Sequence, residues 1–278
     1  MNLLKRLSKE RLAIIPLFII VMVVIIGVFG QNIAPNDPNK VNMALKYASA
    51  SQIFPLGNDY LGRCILSRMI YAIKPSLIYV ILTMIATVGI GCIVGVIAGY
   101  FQNTLDEILM RICDILLSFP SEAMVLASAG IFGIGLKTML MTIIFLRWPW
   151  YAKIIRTAVL KYRNKNYVYY MKAIGHTDLR IIFTQIIPSI IPDIAVIATN
   201  NINSLILMMS GFSFLGLGIQ APSAEWGMML SEAKKVVLTH PEQLIAPSSA
   251  IVLICVCFAF LGDALRDAAD VRRNVDDF

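Results

Sequence analysis

Six long apolar runs dominate this chain, at 12–30, 77–101, 106–133, 138–160, 190–213 and 246–266. A helix rises about 1.5 Å per residue and a bilayer core is about 30 Å thick, so roughly 20 apolar residues cross it. In lipid every backbone N–H and C=O must be satisfied within the segment, which points such runs to helices. Only 15% of the residues are charged and 58% are hydrophobic, against roughly 25% charged in an average soluble domain. One soluble core in a chain of 278 residues cannot hide that surplus. The expected fold is an all-α integral membrane protein with about six transmembrane helices.

The first run, Leu12–Gly30, follows Lys5, Arg6, Lys9 and Arg11. It is longer than a signal-peptide core and no small-residue cleavage site follows, so it reads as an uncleaved first span. Most of the 24 Lys and Arg lie before Leu12, between Lys153 and Arg180, or from Arg266 onward. The positive-inside rule then places both termini and the 161–188 segment in the cytoplasm. The expected organisation is a tail and first span over 1–30 and an extracytoplasmic loop over 31–76. A five-helix core follows over 77–266, then a cytoplasmic tail over 267–278. Within 31–76, "DYLGRCILSRMIYAI" suggests an interfacial helix, and the outer segment 214–245 carries a short helix near Met228–Val237. The net charge of +7 follows from the cytoplasmic loops; no soluble segment is long enough for a nucleic-acid reader.

One cytoplasmic stretch, "YYMKAIGHTDLRIIFTQIIP" at 169–188, interrupts the apolar pattern. Tyr167, Met171 and Ile174 share a helical face, and Gly175 ends that helix as a left-handed C-terminal residue would. Thr177 fits an N-cap with Asp178 in the first turn. Leu179, Ile182, Phe183 and Ile186 make a second apolar stripe, and Pro188 opens the next span. Helix, glycine elbow, helix is the expectation; by periodicity alone the pair could equally lie on lipid headgroups.

Ionisable groups inside spans are costly and mark functional positions. Glu122 and Arg147 sit at mid-depth of adjacent antiparallel spans, where they pair with each other or line a pathway. Arg111 and Asp114 are spaced for a local ion pair. In "TNNINS", Asn200 and Ser204 share a face with Asn203 beside it, while Asn201 points elsewhere; they bond between helices or line a pathway. Gly91, Gly95 and Gly99 recur every four residues and bare one face for close helix packing. No G-x-x-x-x-G-K-[ST] occurs, so nucleotide chemistry is not expected in this chain. The five cysteines are scattered, Cys255-Val-Cys257 is too tight for zinc, and His176 and His240 stand alone. No cofactor, metal site or catalytic set is expected.

The Gly175 to Ile186-x-Pro188 spacing resembles the coupling loop of ABC importer permeases. "PLGNDYLGRCILSRMIYAIKPSL" (55–77), "AGYFQNTLDEILMRICDILLSFP" (98–120), "WPWYAKIIR" (148–156), "SFLGLGIQAPSAEWGMML" (213–230) and "LGDALRDAAD" (261–270) extend the likeness over most of the chain. It resembles in particular the second permease of the dipeptide, oligopeptide and nickel branch. The resemblance implies the type I importer permease architecture. It also implies a second homologous permease, two ATPase subunits, an extracytoplasmic substrate-binding protein, and a place in the cytoplasmic membrane of a prokaryote. It assigns Tyr169, Tyr170, Met171, Ala173, Gly175, Asp178, Ile186 and Pro188 to the ATPase-coupling loop. Where the family reads Glu-Ala-Ala this chain has Tyr169, Tyr170 and Met171, and Met209 replaces a frequent Glu. Short peptides, nickel or metal chelates are the implied cargo. A self-sufficient carrier or channel is the rival, but inverted repeats are not evident.

Overall fold

The computed structural model describes residues 11–269; the basic N-terminal tail and most of the C-terminal tail lie outside the described residues. Among the described residues, nine helices of eight or more residues carry the architecture: α1 (Arg11–Val28), α2 (Ile65–Phe101), α3 (Thr104–Leu117), α4 (Ser121–Phe132), α5 (Leu136–Arg163), α6 (Asn166–Ala173), α7 (Asp178–Phe214), α8 (Trp226–Lys234) and α9 (Pro241–Ala269). Among the described residues, only an isolated bridge between Asn58 and Cys64 departs from helix and loop.

Of the amphipathic stretch that suggested a separate interfacial helix, Asp59–Cys64 is non-helical and Ile65–Ile73 forms the first turns of α2. It joins the following span through a π-turn at Lys74–Ile78. Pro75 explains the wide turn, because a proline lacks the N–H and its ring crowds the carbonyl four residues back. The same device sits in α7, where a π-turn at Ile182–Ile186 precedes Pro188. Pro188 therefore lies inside one continuous helix from Asp178 to Phe214 and does not open it.

The third expected span, 106–133, is broken. Its halves α3 and α4 meet at 78°. Pro120 has extended backbone (φ −66°, ψ 118°), and the residue before a proline is driven out of helical geometry. Hydropathy runs unbroken through the site, but the backbone does not.

By length and composition α2, α7 and α9 can each cross a membrane, and the bent α3–α4 pair makes a fourth crossing if it is one span. α5 has 28 residues, long enough to cross, but ahead of the basic Lys161 and Arg163 of its last turn it carries Lys137, Arg147, Lys153 and Arg156. Three of those four charges find partners within the bundle. α1 has 18 residues; it buries Ala13, Pro16, Ile20 and Gly27 and leaves Ile14, Ile15, Leu17 and Phe18 exposed. That is the division of a helix with one face on protein and the other toward lipid.

The glycine stripe of α2 is its contact with α5. A Cβ on Gly91 would stand 2.6 Å from Tyr151 Cβ, on Gly95 2.6 Å from the Ala152 carbonyl oxygen, and on Gly99 2.9 Å from the Arg156 carbonyl oxygen. No side chain fits, so the two backbones approach as a small-residue seam allows. Gly27 of α1 packs as tightly on Ile73, and Gly262 of α9 on Asn200.

Candidate functional site: an elbow and a polar layer

The α6–α7 connection is the expected elbow. Gly175 has φ +85°. Its N–H donates to the Lys172 carbonyl at 3.0 Å, and the His176 N–H donates to the Met171 carbonyl at 3.1 Å. This pair of bonds closes a helix on a left-handed glycine. The Thr177 side chain then accepts from the Arg180 N–H at 3.4 Å and starts α7.

Asp178 does more than begin a helix. Its Oδ1 accepts from the Tyr100 hydroxyl at 2.6 Å and lies 3.3 Å from Lys172 Nζ. The Lys172 ammonium stands 4.9 Å from the centre of the Tyr100 ring. The elbow is thus tied to the last turn of α2. The sequence hinted at neither Tyr100 nor Lys172, because Tyr100 and Asp178 are 78 residues apart.

The elbow presents an apolar and aromatic surface. Tyr169 is 58% exposed, Tyr170 66%, Leu179 66% and Phe183 66%, with Ile174 beside them. Met171 is half-buried, Ala173 and Pro188 are exposed, and Val168, Ile181, Ile182 and Ile186 are buried. The expected single stripe on α7 is therefore split: Ile182 and Ile186 face the bundle while Leu179 and Phe183 face outward.

Farther along the bundle a polar layer forms. Glu122 lies ten residues from the end of α4 at Phe132, Arg147 eleven from the start of α5 at Leu136, and Ser204 ten from the end of α7 at Phe214. All three ends are on the side away from the elbow. At 1.5 Å per residue each group lies about 15–17 Å along its helix from that end, about half the thickness of a bilayer core. Glu122 and Arg147 line one cavity of about 490 Å³ at the α3–α4 break, with Phe119, Trp150 and Asn201.

The details correct several expectations. Glu122 and Arg147 do not pair; an Arg147 Nη donates to Ser204 Oγ at 3.1 Å, and Glu122 has no ion-pair partner among the described residues. The break between α3 and α4 sets their separation, which matched depth alone did not predict. Asp114 pairs with Lys153 of α5 and not with Arg111. Asp106, unremarked in the sequence, accepts two bonds of 2.6 Å from Arg156. Asn200 packs against Gly262, whereas Asn201, expected to point elsewhere, reaches the cavity. Asn203 Oδ1 is buried without a hydrogen-bond partner among the described residues.

The end away from the elbow holds a buried ion cluster that sequence reasoning missed. Arg63 Nε donates to Asp59 at 2.7 Å, and Arg63 and Arg68 both donate to Glu232 of α8, at 3.1 and 2.9 Å. Arg68 is also 3.6 Å from Asp59. Two cations and two anions balance there, all nearly inaccessible. A second anchor is Glu225, which caps α8 by accepting from the Gly227 and Met228 N–H groups and from Ser76 Oγ. Burial pushes its carboxyl above the usual range, opposed by those hydrogen bonds. Arg63 and Arg68 both lie in the stretch read as an interfacial helix, but no local spacing pairs them with Glu232.

Residues 91–275 match the family described as binding-protein-dependent transport system inner membrane component. The chain is 47% identical over 277 residues to the metal-staphylopine import system permease protein CntC of Staphylococcus aureus, covering 100% of this chain and 96% of that protein. It is 33% identical over 254 residues to the nickel transport system permease protein NikC of Escherichia coli (91% of this chain, 92% of that one). It is also 33% identical over 268 residues to the dipeptide transport system permease protein DppC of Alkalihalophilus pseudofirmus (96% and 88%). In fold it is similar to a chain of the inward-facing MetNI methionine ABC transporter, with a TM-score of 0.58 over 72% of this chain and 96% of that one, at 17% identity. On the family match over residues 91–275 and these full-length likenesses, the chain belongs to the family of inner-membrane components of binding-protein-dependent transport systems.

Proposed function

We infer that this chain is one transmembrane half of an ATP-driven importer that passes short peptides, nickel or metal chelates by alternating access. In this reading a second homologous permease completes the pathway. Two ATPase subunits sit on the cytoplasmic side, where this chain's elbow docks on one of them, and an extracytoplasmic binding protein delivers cargo to the far end. The cargo range follows the names of the relatives, CntC, NikC and DppC. Both chain termini and the 161–188 segment lie in the cytoplasm, as the distribution of Lys and Arg favours.

The observation that carries the coupling role is the elbow itself. A positive-φ glycine joins two helices whose exposed Tyr169, Tyr170, Leu179 and Phe183 offer an apolar docking surface. Its Asp178 is tied to Tyr100 at the foot of α2. Closure of the ATPases then moves α7 directly and α2 through that tether, and the glycine seam passes the motion to α5. Tyr169, Tyr170 and Met171 supply contact area in place of a carboxylate, so salt should weaken docking little. Glu122, Arg147 and Asn201 form the polar lining at mid-depth, with Ser204 and Asn203 beside it on α7; Asn200 belongs to the α7–α9 contact.

ATP-dependent uptake by vesicles holding the complete complex tests the reading. Uptake that needs ATP and is lost when Tyr169 and Tyr170 are both changed to Asp supports it. Uptake that proceeds without ATP returns the chain to the class of self-sufficient carriers.

A further inference from the structure

We propose that the cavity at the α3–α4 break is a transit subsite for a small zwitterionic solute of the amino-acid type. Its carboxylate meets Arg147 and its ammonium group meets Glu122. The proposal rests on the permease reading above and adds the chemical class that the pathway handles at mid-depth.

Several other charges of the bundle are matched by a partner within it. Arg156 holds Asp106, Lys153 holds Asp114, and Arg63 and Arg68 share Asp59 and Glu232. Glu122 and Arg147 share a cavity and a depth yet form no ion pair. Opposite charges held apart in one cavity are each satisfied by a ligand that carries both charges. A simple cation or anion would leave one of them alone.

The other wall groups suit the same ligand. Arg147 has five N–H donors in a fork that matches a carboxylate, and one nitrogen is steadied by Ser204. The Asn201 amide donates to the Ile197 carbonyl at 2.8 Å, which fixes the side chain and leaves its own oxygen to accept from an ammonium. Trp150 and Phe119 are 41% and 48% exposed and line the cavity. An aromatic face attracts a cation within about 6 Å and also accepts an apolar side chain. A volume of about 490 Å³ holds a solute of a few residues, within the range of roughly 300–1,000 Å³ usual for small-molecule sites.

The test is equilibrium binding to the purified complex with its ATPases but without the binding protein. The probes are L-alanyl-L-alanine, its N-acetyl derivative and its C-terminal amide. The free dipeptide should bind about tenfold more tightly than either blocked form, equivalent to about 1.4 kcal/mol. Glu122→Gln should erase the preference over the N-acetyl form and keep that over the amide; Arg147→Gln should do the reverse. Equal binding of all three probes, no saturable binding of the dipeptide, or preferences that survive both variants would overturn the subsite. The wild-type comparison stands even where a variant fails to assemble. ATP dependence of uptake by the same complex is read separately. ATP-driven uptake without probe discrimination removes the subsite and leaves the importer, whereas discrimination with uptake that ignores ATP removes the importer reading alone.

Discussion

Replacing Gly175 is the perturbation whose size the structure determines most cleanly. The residue has φ +85°, and a Cβ built on it meets nothing within 4 Å. Within this chain a Cβ there meets no clash, so the effect on the chain's own fold is backbone strain. An L-residue pays about 1–2 kcal/mol in the left-handed region, and Asn tolerates it better than Ala. A β-branched residue adds a restricted χ1. One to two kcal/mol shifts a two-state population about 5–30-fold. Relaxing φ also breaks the bonds from the Gly175 and His176 N–H groups to Lys172 and Met171. Gly175→Asn, Gly175→Ala and Gly175→Val should therefore insert normally but lose coupling in that order. The assay is cargo taken up per ATP hydrolysed, in vesicles holding the complex. A Val variant with the wild-type ratio, or an Asn variant as impaired as Val, would refute the reasoning.

The other perturbations act at separate points. Tyr100→Phe removes the bond to Asp178, worth about 0.5–1.5 kcal/mol, and should lower uptake per ATP without lowering membrane abundance; unchanged coupling would deny the tether a role. Glu232→Gln leaves Arg63 and Arg68 to share Asp59, and breaking such a buried pair costs about 3–5 kcal/mol. That cost should appear as a large fall in the thermal unfolding midpoint in detergent, and an unchanged midpoint would mean the cluster is not structural. Gly95→Ala forces a Cβ to 2.6 Å from the Ala152 carbonyl and should destabilise by about 1–3 kcal/mol. Gly89→Ala, which meets open space, is the control and should stay within about 0.5 kcal/mol.

What the sequence made legible was local or periodic. Gly175 and Thr177 encode a helix end and a helix start within a few residues, and both form as read. The glycines at 91, 95 and 99 encode a bare face, and α5 fills it. The apolar runs located the long helices, but hydropathy is blind to backbone direction and so missed the 78° break at Pro120. Pro188 misled in the opposite sense, because a π-turn just before it carries the helix through. Side-chain partners across helices were the least legible. Spacing favoured Arg111 for Asp114, but α5 brings Lys153 there instead. Arg63 and Glu232 meet across 169 residues, and no local pattern announces it. The polar positions of α7 were found, yet which Asn faces the cavity depends on helix rotation fixed only by packing against α9.

The central claim is that this chain transmits ATP-driven motion from partner subunits to a pathway. The most direct measurement is purification of the chain from its native membrane in mild detergent, with mass spectrometry and an ATPase assay on what accompanies it. The account predicts a second permease and an ATPase pair, with hydrolysis stimulated by a cargo-loaded binding protein and with that stimulation lost in Gly175→Val. A chain that purifies alone yet still moves solute across reconstituted vesicles would contradict it.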